Sequence, residues 1–328
     1  MAAALLAGRP AAAIGAPSTG GSENVDVALV AEHASIRPGE PFEVGLRMKL
    51  EDGWHTYWKN PGDSGLPLRI EWSLPPGFTA GPIEWPAPQR IPTSSLMTYG
   101  FEHEVLLVVT ITPPATIAAK TVTIAGSFDW LECADVCVAG SASLALTMPV
   151  RADVAAPGPA ASLFAAARAR RPRPSAGWTF AATAGPRAIE LGFTPPPGIE
   201  PRGAYFFVDQ PLVVEHAAPQ GFERVGTGYR LTMKPAENAA SPATRITGVL
   251  MLDGVSLEAG NAIAVDVEAA AGDPAPAAVG DTTAAPAAAA SPPAPAKPNS
   301  GSTALITILV AVAVLALAVI LRRRSSRR

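Results

Sequence analysis

The sequence predicts an all-β protein: an immunoglobulin-like β-sandwich, a second smaller β domain, a Pro/Ala-rich stalk and one C-terminal transmembrane helix. Three observations support this prediction. Short apolar–polar alternations recur between Gly and Pro turn signals over residues 24–269, which is typical of consecutive short strands. Ala and Pro dominate residues 270–302, and residues 303–321 carry no charge. Only part of the 328-residue chain is therefore available to build cores.

Residues 24–150 are predicted to form the two-sheet sandwich. Val25–Ala31 and Phe42–Leu50 alternate on either side of a Pro-Gly turn. Further strands are expected at residues 68–74, 105–112, 121–128 and 143–150. Because no useful length of helical periodicity separates these strands, their spacing favours an immunoglobulin-like sandwich.

Residues 151–177 are interpreted as a connector with a short helix over residues 160–171, which Pro172 and Pro174 stop. Its arginines are interpreted as a solvated helix end. A second β domain is predicted over residues 178–269, with no Cys and one His, so we expect it to work in spacing, packing on the first domain or docking. Its expected strands are residues 178–182, 188–193, 204–208, 229–234, 246–252 and 263–267.

The C-terminal part predicts a membrane anchor. Residues 270–302 are too low in complexity to bury a core and form a disordered linker, whose polyproline II length is on the order of 100 Å. Residues 303–321 would span about 28 Å as a helix, close to the hydrocarbon thickness of a bilayer. Five arginines follow in residues 322–328. By the positive-inside rule this tail is cytoplasmic and residues 1–302 lie outside.

Export needs a signal, and residues 1–22 are a possible but atypical or truncated one. They lack a charged start, and Arg9-Pro10 interrupts the apolar run, so the signal is inferred from the topology. The net charge of −3 and pI near 5.9 leave no basic footprint for a nucleic acid.

The two cysteines, Cys133 and Cys137, are the one convincing chemical centre in the sequence. Outside the cytoplasm such a pair is able to form a disulfide. In an extended strand these positions lie about 13 Å apart, whereas a disulfide needs Cα atoms within about 7 Å. If the two bond to each other, residues 132–138 must bend between strands into a turn or helical coil that a partner can reach.

The residues alone leave three roles open for this pair. So short a loop removes little entropy from the unfolded chain, which argues against a static staple, and a strained ring is easier to reduce. Against redox activity, the nearby Asp129, Glu132 and Asp135 disfavour a thiolate. Metal binding, with help from His55 or His103, is the third role: two thiols can bind Cu(I), whereas a structural zinc site needs four ligands.

Four segments in order carry a resemblance to a known family: residues 53–67 (GWHTYWKNPGDSGLP), 83–91 (IEWPAPQRI), 99–107 (YGFEHEVLL) and 130–140 (WLECADVCVAG). Together they resemble the N-terminal domain of DsbD-type thiol:disulfide interchange proteins, in the branch related to ScsB, the suppressor-of-copper-sensitivity protein. The resemblance covers residues 25–150, and the connector and second β domain are also similar to that branch.

This resemblance implies a periplasmic immunoglobulin-like domain on the bacterial inner membrane whose redox pair is Cys133 and Cys137. It implies protein-disulfide-reductase-like activity, as in cytochrome c biogenesis, with no cofactor beyond the disulfide. The implied partners are a thioredoxin-like or multi-helix membrane electron donor and periplasmic disulfide-containing clients. The family's cysteine cap corresponds to Met97, Thr98, Tyr99 and Gly100, with Thr98 where the family has an aromatic residue. Family members continue into a multi-helix membrane domain, whereas one predicted helix follows here, so electron import needs a separate partner.

The remaining conspicuous residues are given structural roles. The aromatic residues of the first domain are expected mostly in its core, with one or two beside the cysteines or on a docking surface: Trp54, Tyr57, Trp58, Trp72 and Trp85. Residues 60–65 are turn chemistry and lack the ending of a phosphate loop. His33, His55, His103 and His216 show no metal-ligand spacing. Thiol–disulfide exchange is the leading hypothesis; a membrane-anchored binding module with a structural disulfide and a copper-handling protein are the alternatives.

Overall fold

The computed structural model describes residues 18–239, 241–255 and 260–272, which belong to one compact unit. The predicted membrane helix, its basic tail, nearly all of the linker and most of the signal segment lie outside the described residues. None of the helices among those residues has the length and apolar character needed to cross a bilayer. The predicted all-β class is confirmed, because strands and one short helix make up the described elements.

Two antiparallel sheets form the first region, as the sequence predicts. One sheet has the order β1-β2-β3-β9-β6 and the other the order β11-β10-β4-β8-β7, with β5 paired to β10. The strands are β1 (Ser18–Gly21), β2 (Val25–Ala31), β3 (Phe42–Leu50), β4 (His55–Gly62), β5 (Arg69–Ser73), β6 (Thr79–Glu84), β7 (Gln89–Thr93), β8 (Leu96–Glu102), β9 (Glu104–Thr112), β10 (Thr121–Cys133) and β11 (Cys137–Pro149).

Alternation decides which side chains lie between these two sheets. In β10, the buried residues Val122, Ile124, Phe128 and Trp130 enter the core, while the intervening polar residues face outward. Strands β2 and β3 begin and end where the alternating pattern predicts. A strand with one buried face and one solvated face carries this period-two pattern, so these strands are the ones that sequence identifies best.

Strand β4 was not predicted, because it is buried on both faces. His55, Thr56, Tyr57 and Trp58 are consecutive and all buried, so no alternation marks the strand. The sequence pattern also does not predict β1, β6, β7 and β8, nor β15 (Gly221–Val225) of the second region. Of these strands, β6 and β7 each contain a proline, a residue that sequence reasoning keeps out of strands.

The connector contains the predicted short helix, α1 (Ala161–Ala169). Its buried Phe164 packs with Val30, Leu106 and Val108 on the outer face of the five-stranded sheet. Arg168 lies exposed in the last turn, as the interpretation of a solvated helix end expects, but this interpretation omits the ion pairs that Arg168 and Arg171 make.

Arg168 and Arg171 bind the first region through carboxylates. Arg168 pairs with Glu32 and Glu43, and Arg171 pairs with Glu43 and Glu84. The hydrogen bond from Arg168 is the largest cause that holds the pKa of Glu32 below its usual range. These ion pairs and the contact of Phe164 join the connector to the sandwich.

The second region is a seven-stranded sheet with the order β14-β17-β18-β12-β13-β16-β15. Its pairs are antiparallel except β12 with β18, which run parallel. The strands are β12 (Thr179–Ala184), β13 (Ile189–Thr194), β14 (Gly203–Val208), β15 (Gly221–Val225), β16 (Gly228–Met233), β17 (Arg245–Asp253) and β18 (Ala262–Ala271).

The two regions share a hydrophobic core. Tyr205, Phe207, Val249 and Ala262 of the second region belong to the same buried cluster as the sandwich core. Of the three roles expected for the second region, packing on the first is therefore the one that the structure displays.

We expect Phe164→Ala to lower the free energy of unfolding by about 3–5 kcal/mol, because it leaves a cavity between α1 and the sheet. Chemical denaturation measures the change. Ser162→Ala, an exposed change on the same helix, is the control and should stay within about 0.5 kcal/mol of the parent. Equal effects of the two changes would contradict the packing role of Phe164.

Candidate functional site

The two cysteines form a disulfide at the tip of a long hairpin. Strands β10 and β11 pair from Thr121 with Pro149 to Cys133 with Cys137, without a register shift. Three residues make the turn, in which the amide of Ala134 donates to the carbonyl of Val136 at 3.0 Å. The Cα atoms of the cysteines are 4.1 Å apart. The prediction that the chain turns between the cysteines is confirmed.

The two cysteines differ in their access to solvent. Cys133 is 2% exposed, whereas Cys137 lies on the exposed side of the hairpin. Val136 and Val138, on either side of Cys137, are 63% and 40% exposed. Cys137 is therefore flanked by two exposed apolar side chains.

Tyr57 of β4 covers the buried sulfur. Its hydroxyl donates to Sγ of Cys133 at 2.6 Å and lies 3.7 Å from Sγ of Cys137. Burial raises the pKa of Tyr57, so the hydroxyl keeps its proton at neutral pH and remains a donor. Among the five aromatic residues singled out in the sequence, the four tryptophans belong to or pack against the sandwich core, and Tyr57 is the one at the cysteines.

His55 connects β4 to the hairpin tip. It is the strand partner of Cys133, and its ring meets that of Tyr57 edge-on with centroids 5.3 Å apart. Burial lowers the pKa of His55, opposed in part by Glu102, so a neutral ring is favoured. Within the described ranges no group of three or more His, Cys, Asp or Glu side chains is arranged to hold a metal ion.

Glu132 anchors the hairpin tip from inside. This fully buried carboxylate accepts hydrogen bonds from Nε1 of Trp130 at 2.7 Å, from Nδ2 of Asn24 at 3.0 Å, and from the hydroxyl of Ser22 at 2.7 and 2.8 Å. Side chains alternate along a strand, so Glu132 faces the sandwich interior while Cys133 faces Tyr57. The expectation that three carboxylates surround the pair is therefore wrong for Glu132; Asp129 and Asp135 are exposed.

Residues 97–100, the expected cap, lie on β8 next to β4. Thr98 and Tyr99 are buried; Thr98 is the strand partner of Gly62, and the hydroxyl of Tyr99 meets that of Tyr205 at 2.8 Å. Gly100 is the strand partner of Tyr57, and Met97 is half-buried. Gly100 thus supports the tyrosine that touches the sulfurs, and the capping role of this stretch stays a prediction.

Comparisons with known proteins agree with this geometry. Residues 26–149 match the model of the N-terminal domain of the thiol:disulfide interchange protein DsbD. The crystal structure of the N-terminal periplasmic domain of ScsB from Proteus mirabilis is similar at a TM-score of 0.55 and 18% identity, covering 76% of this chain and 95% of that chain. This likeness supports the fold. The family match and the disulfide support thiol:disulfide interchange at the level of the family.

Two other comparisons add nothing to this assignment. The structure of titin domains z1z2 in complex with telethonin aligns at a TM-score of 0.18 and 10% identity, covering 77% of this chain and 99% of that chain, which carries no argument. No curated protein matches the chain.

We expect Glu132→Ala to lower the free energy of unfolding by about 3 kcal/mol, because it leaves the buried indole N–H of Trp130 and the part-buried donors of Asn24 and Ser22 without their acceptor. Urea denaturation measures the change. Asp129→Ala removes an exposed carboxylate from the same strand and should change stability by no more than about 0.5 kcal/mol. A free energy of unfolding of Glu132→Ala equal to that of the parent would contradict the anchoring role of Glu132.

Proposed function

We propose that this protein is a thiol:disulfide interchange relay, which exchanges electrons with partner proteins through Cys133 and Cys137. The observation that carries the proposal is the asymmetric disulfide: Cys137 is an exposed residue with apolar neighbours, whereas Cys133 is buried and its sulfur accepts a hydrogen bond from Tyr57. The family match over residues 26–149 supports the same chemistry.

In the reductive half of the exchange, a thiolate of the donor protein attacks Sγ of Cys137. The disulfide breaks, a mixed disulfide forms, and the electron pair of the broken bond stays on Cys133 as a thiolate. The donor's second thiol then attacks the mixed disulfide, which frees Cys137 and leaves the donor oxidised. Two electrons have moved, and Cys133 and Cys137 take two protons from the donor thiols or solvent.

In the second half the same steps run in reverse. The Cys137 thiolate attacks the disulfide of a client protein, and Cys133 resolves the mixed disulfide. The client leaves reduced and the Cys133–Cys137 bond forms again. The greater exposure of Cys137 supports a partner-facing role for it and a resolving role for Cys133, because access affects which sulfur is attacked.

Tyr57 acts on the buried sulfur in both halves. A hydrogen bond to an ionised acceptor is about twice as strong as one between neutral groups, so the hydroxyl stabilises the Cys133 thiolate more than the disulfide. This assists the departure of Cys133 when Cys137 is attacked.

A static disulfide in a binding module is the competing function. A structural disulfide typically has a reduction potential below about −300 mV, and a relay needs a less negative one. Redox titration against glutathione distinguishes a relay from a structural disulfide. A reduction potential below about −300 mV would contradict the relay function.

The proposed partners and location are those that the family resemblance and the predicted C-terminal helix imply. The relay would take electrons from a thioredoxin-like or multi-helix membrane donor and pass them to periplasmic disulfide proteins, with residues 303–321 holding it in the bacterial inner membrane. The disulfide itself is the redox group, and no metal or organic cofactor is required. Copper titration with and without Cys133 tests the copper-handling alternative.

We expect Cys133→Ala to accumulate mixed disulfides with partner proteins, because exposed Cys137 remains and its resolving thiol is gone. Cys137→Ala should give far fewer adducts, because Cys133 is buried. Non-reducing electrophoresis and mass spectrometry of cells that express each variant measure the adducts, and the doubly substituted chain is the control. Adducts from neither variant, or equal adducts from both, would contradict these roles.

We expect Tyr57→Phe to slow reduction of the disulfide by dithiothreitol about tenfold, since loss of a hydrogen bond worth 1.4 kcal/mol is a tenfold change. Stopped-flow kinetics under pseudo-first-order conditions measure the rate. Tyr229→Phe, a buried tyrosine in the second region, is the matched control and should leave the rate unchanged.

A further inference from the structure

The loop that follows β4 lies on the tyrosine that touches the disulfide. A β-carbon on Gly65 would stand 2.0 Å from Cε1 and 2.3 Å from Cζ of Tyr57, so the loop backbone packs directly against the ring. Gly65 has a φ of +106°, which only glycine adopts readily. Residues 62–67 comprise the last residue of β4 and the loop after it, and are named here the ring loop. The position of the ring loop therefore sets the position of the Tyr57 ring.

Asn60 connects this ring loop to the second β region. Its side chain is 2% exposed, and its Nδ2 donates to the carbonyls of Val208 at 2.8 Å and Gln210 at 3.3 Å. Its Oδ1 accepts from the amide of Gly62 at 3.2 Å. The Asn60 side chain thus binds Gly62, the first residue of the ring loop, through its oxygen. It binds the second region through its amide nitrogen. Turn chemistry, the role expected from sequence, accounts only for the hydrogen bond between Asn60 and the amide of Gly62. It does not account for the two bonds to the second region.

The surface that Asn60 reaches is well packed. Tyr99 lies edge-on to Phe207 with centroids 4.8 Å apart, and Trp58 meets Phe207 at 6.3 Å. These rings belong to the core that the two regions share. Packed interiors resist small displacements, so the carbonyls of Val208 and Gln210 are fixed relative to β4.

We propose that Asn60 is a positioning residue for the redox pair, through which the second β region holds the ring loop and keeps the Tyr57 hydroxyl on Sγ of Cys133. The inference rests on the proposed thiol exchange. The second β region is then a structural part of the redox site, in addition to its packing on the sandwich.

The chemistry explains why position matters here. The Tyr57 hydroxyl lies 2.6 Å from Sγ of Cys133 and must still donate as that sulfur becomes a thiolate. Hydrogen bonds weaken steeply with distance and angle, so a displaced ring loses part or all of the roughly tenfold effect expected for this hydroxyl. A ring loop that drifts away from Tyr57 releases the ring and weakens this contact.

We expect Asn60→Ala in the full-length chain to slow reduction of the disulfide by dithiothreitol at least threefold. Lys59→Ala is the matched control: it removes the ion pair from Nζ to Asp209, 2.7 Å long, across the same interface without touching the ring loop, and should leave the rate unchanged. Equal slowing by the two variants, or a parent-like rate for Asn60→Ala, would overturn the proposal.

A double-substitution cycle with Tyr57→Phe tests the route of the effect. If Asn60 acts through the Tyr57 hydroxyl, Asn60→Ala should have no further effect on the rate in the Tyr57→Phe background. The same threefold slowing in that background would overturn the proposal. Gly65→Ala, which drives a methyl group toward the ring from within the loop, should also slow reduction, and it provides the test of the ring loop if Asn60→Ala fails to fold.

These measurements use a small dithiol and need no partner protein. A parent chain that shows a dithiothreitol rate dependent on Asn60 but forms no mixed disulfides in cells would retain the positioning role and lose the relay function. A chain that forms mixed disulfides but reacts independently of Asn60 would retain the relay and lose the positioning role.

Discussion

The register of the β10–β11 hairpin is the constraint on which the site depends. A disulfide between residues four apart requires the chain to reverse within three residues, and the ladder from Thr121 and Pro149 onward delivers the two cysteines to each other as its last pair. Side chains alternate with a period of two, so a slip of one residue would exchange the faces. Trp130 and Glu132 would then leave the interior, and Cys133 would leave Tyr57. The core-facing residues of β10 therefore also determine where the sulfurs lie.

This register also separates the charges near the cysteines. Glu132 is next to Cys133 in sequence, yet its carboxylate turns to the interior and binds Trp130, Asn24 and Ser22. The outer side of Cys133 meets a neutral hydroxyl and a histidine whose pKa is lowered by burial. The carboxylate of Glu132 is thus directed away from Cys133 and toward these three hydrogen-bond donors.

Sequence reasoning identifies the strands that have one buried face and one solvent-exposed face. Strands β2 and β3 carry clear alternation, and they occur at the predicted residues. Strand β4 carries no such signal because neighbours cover both of its faces. Only part of the site is predictable from sequence. The cysteines are conspicuous by their spacing, whereas Tyr57 and Asn60 contact residues that lie 76 and 148 positions away in the sequence. No local pattern encodes partners so distant, although the aromatic cluster around Tyr57 and the resemblance over residues 53–67 drew attention to this segment.

The contact between Tyr57 and Cys133 also bears on whether the disulfide is a staple. By loop-closure entropy a bond between residues four apart stabilises a fold by only about 2 kcal/mol, and the hairpin ladder already holds these residues together. A disulfide sulfur is a poor acceptor for a buried hydroxyl, whereas a thiolate is a strong one. A donor aimed at Cys133 thus matches the charged sulfur that appears when the bond breaks better than it matches the intact bond. Catalysis rests on complementarity to the state formed during reaction, so this contact supports the proposed exchange over a static staple.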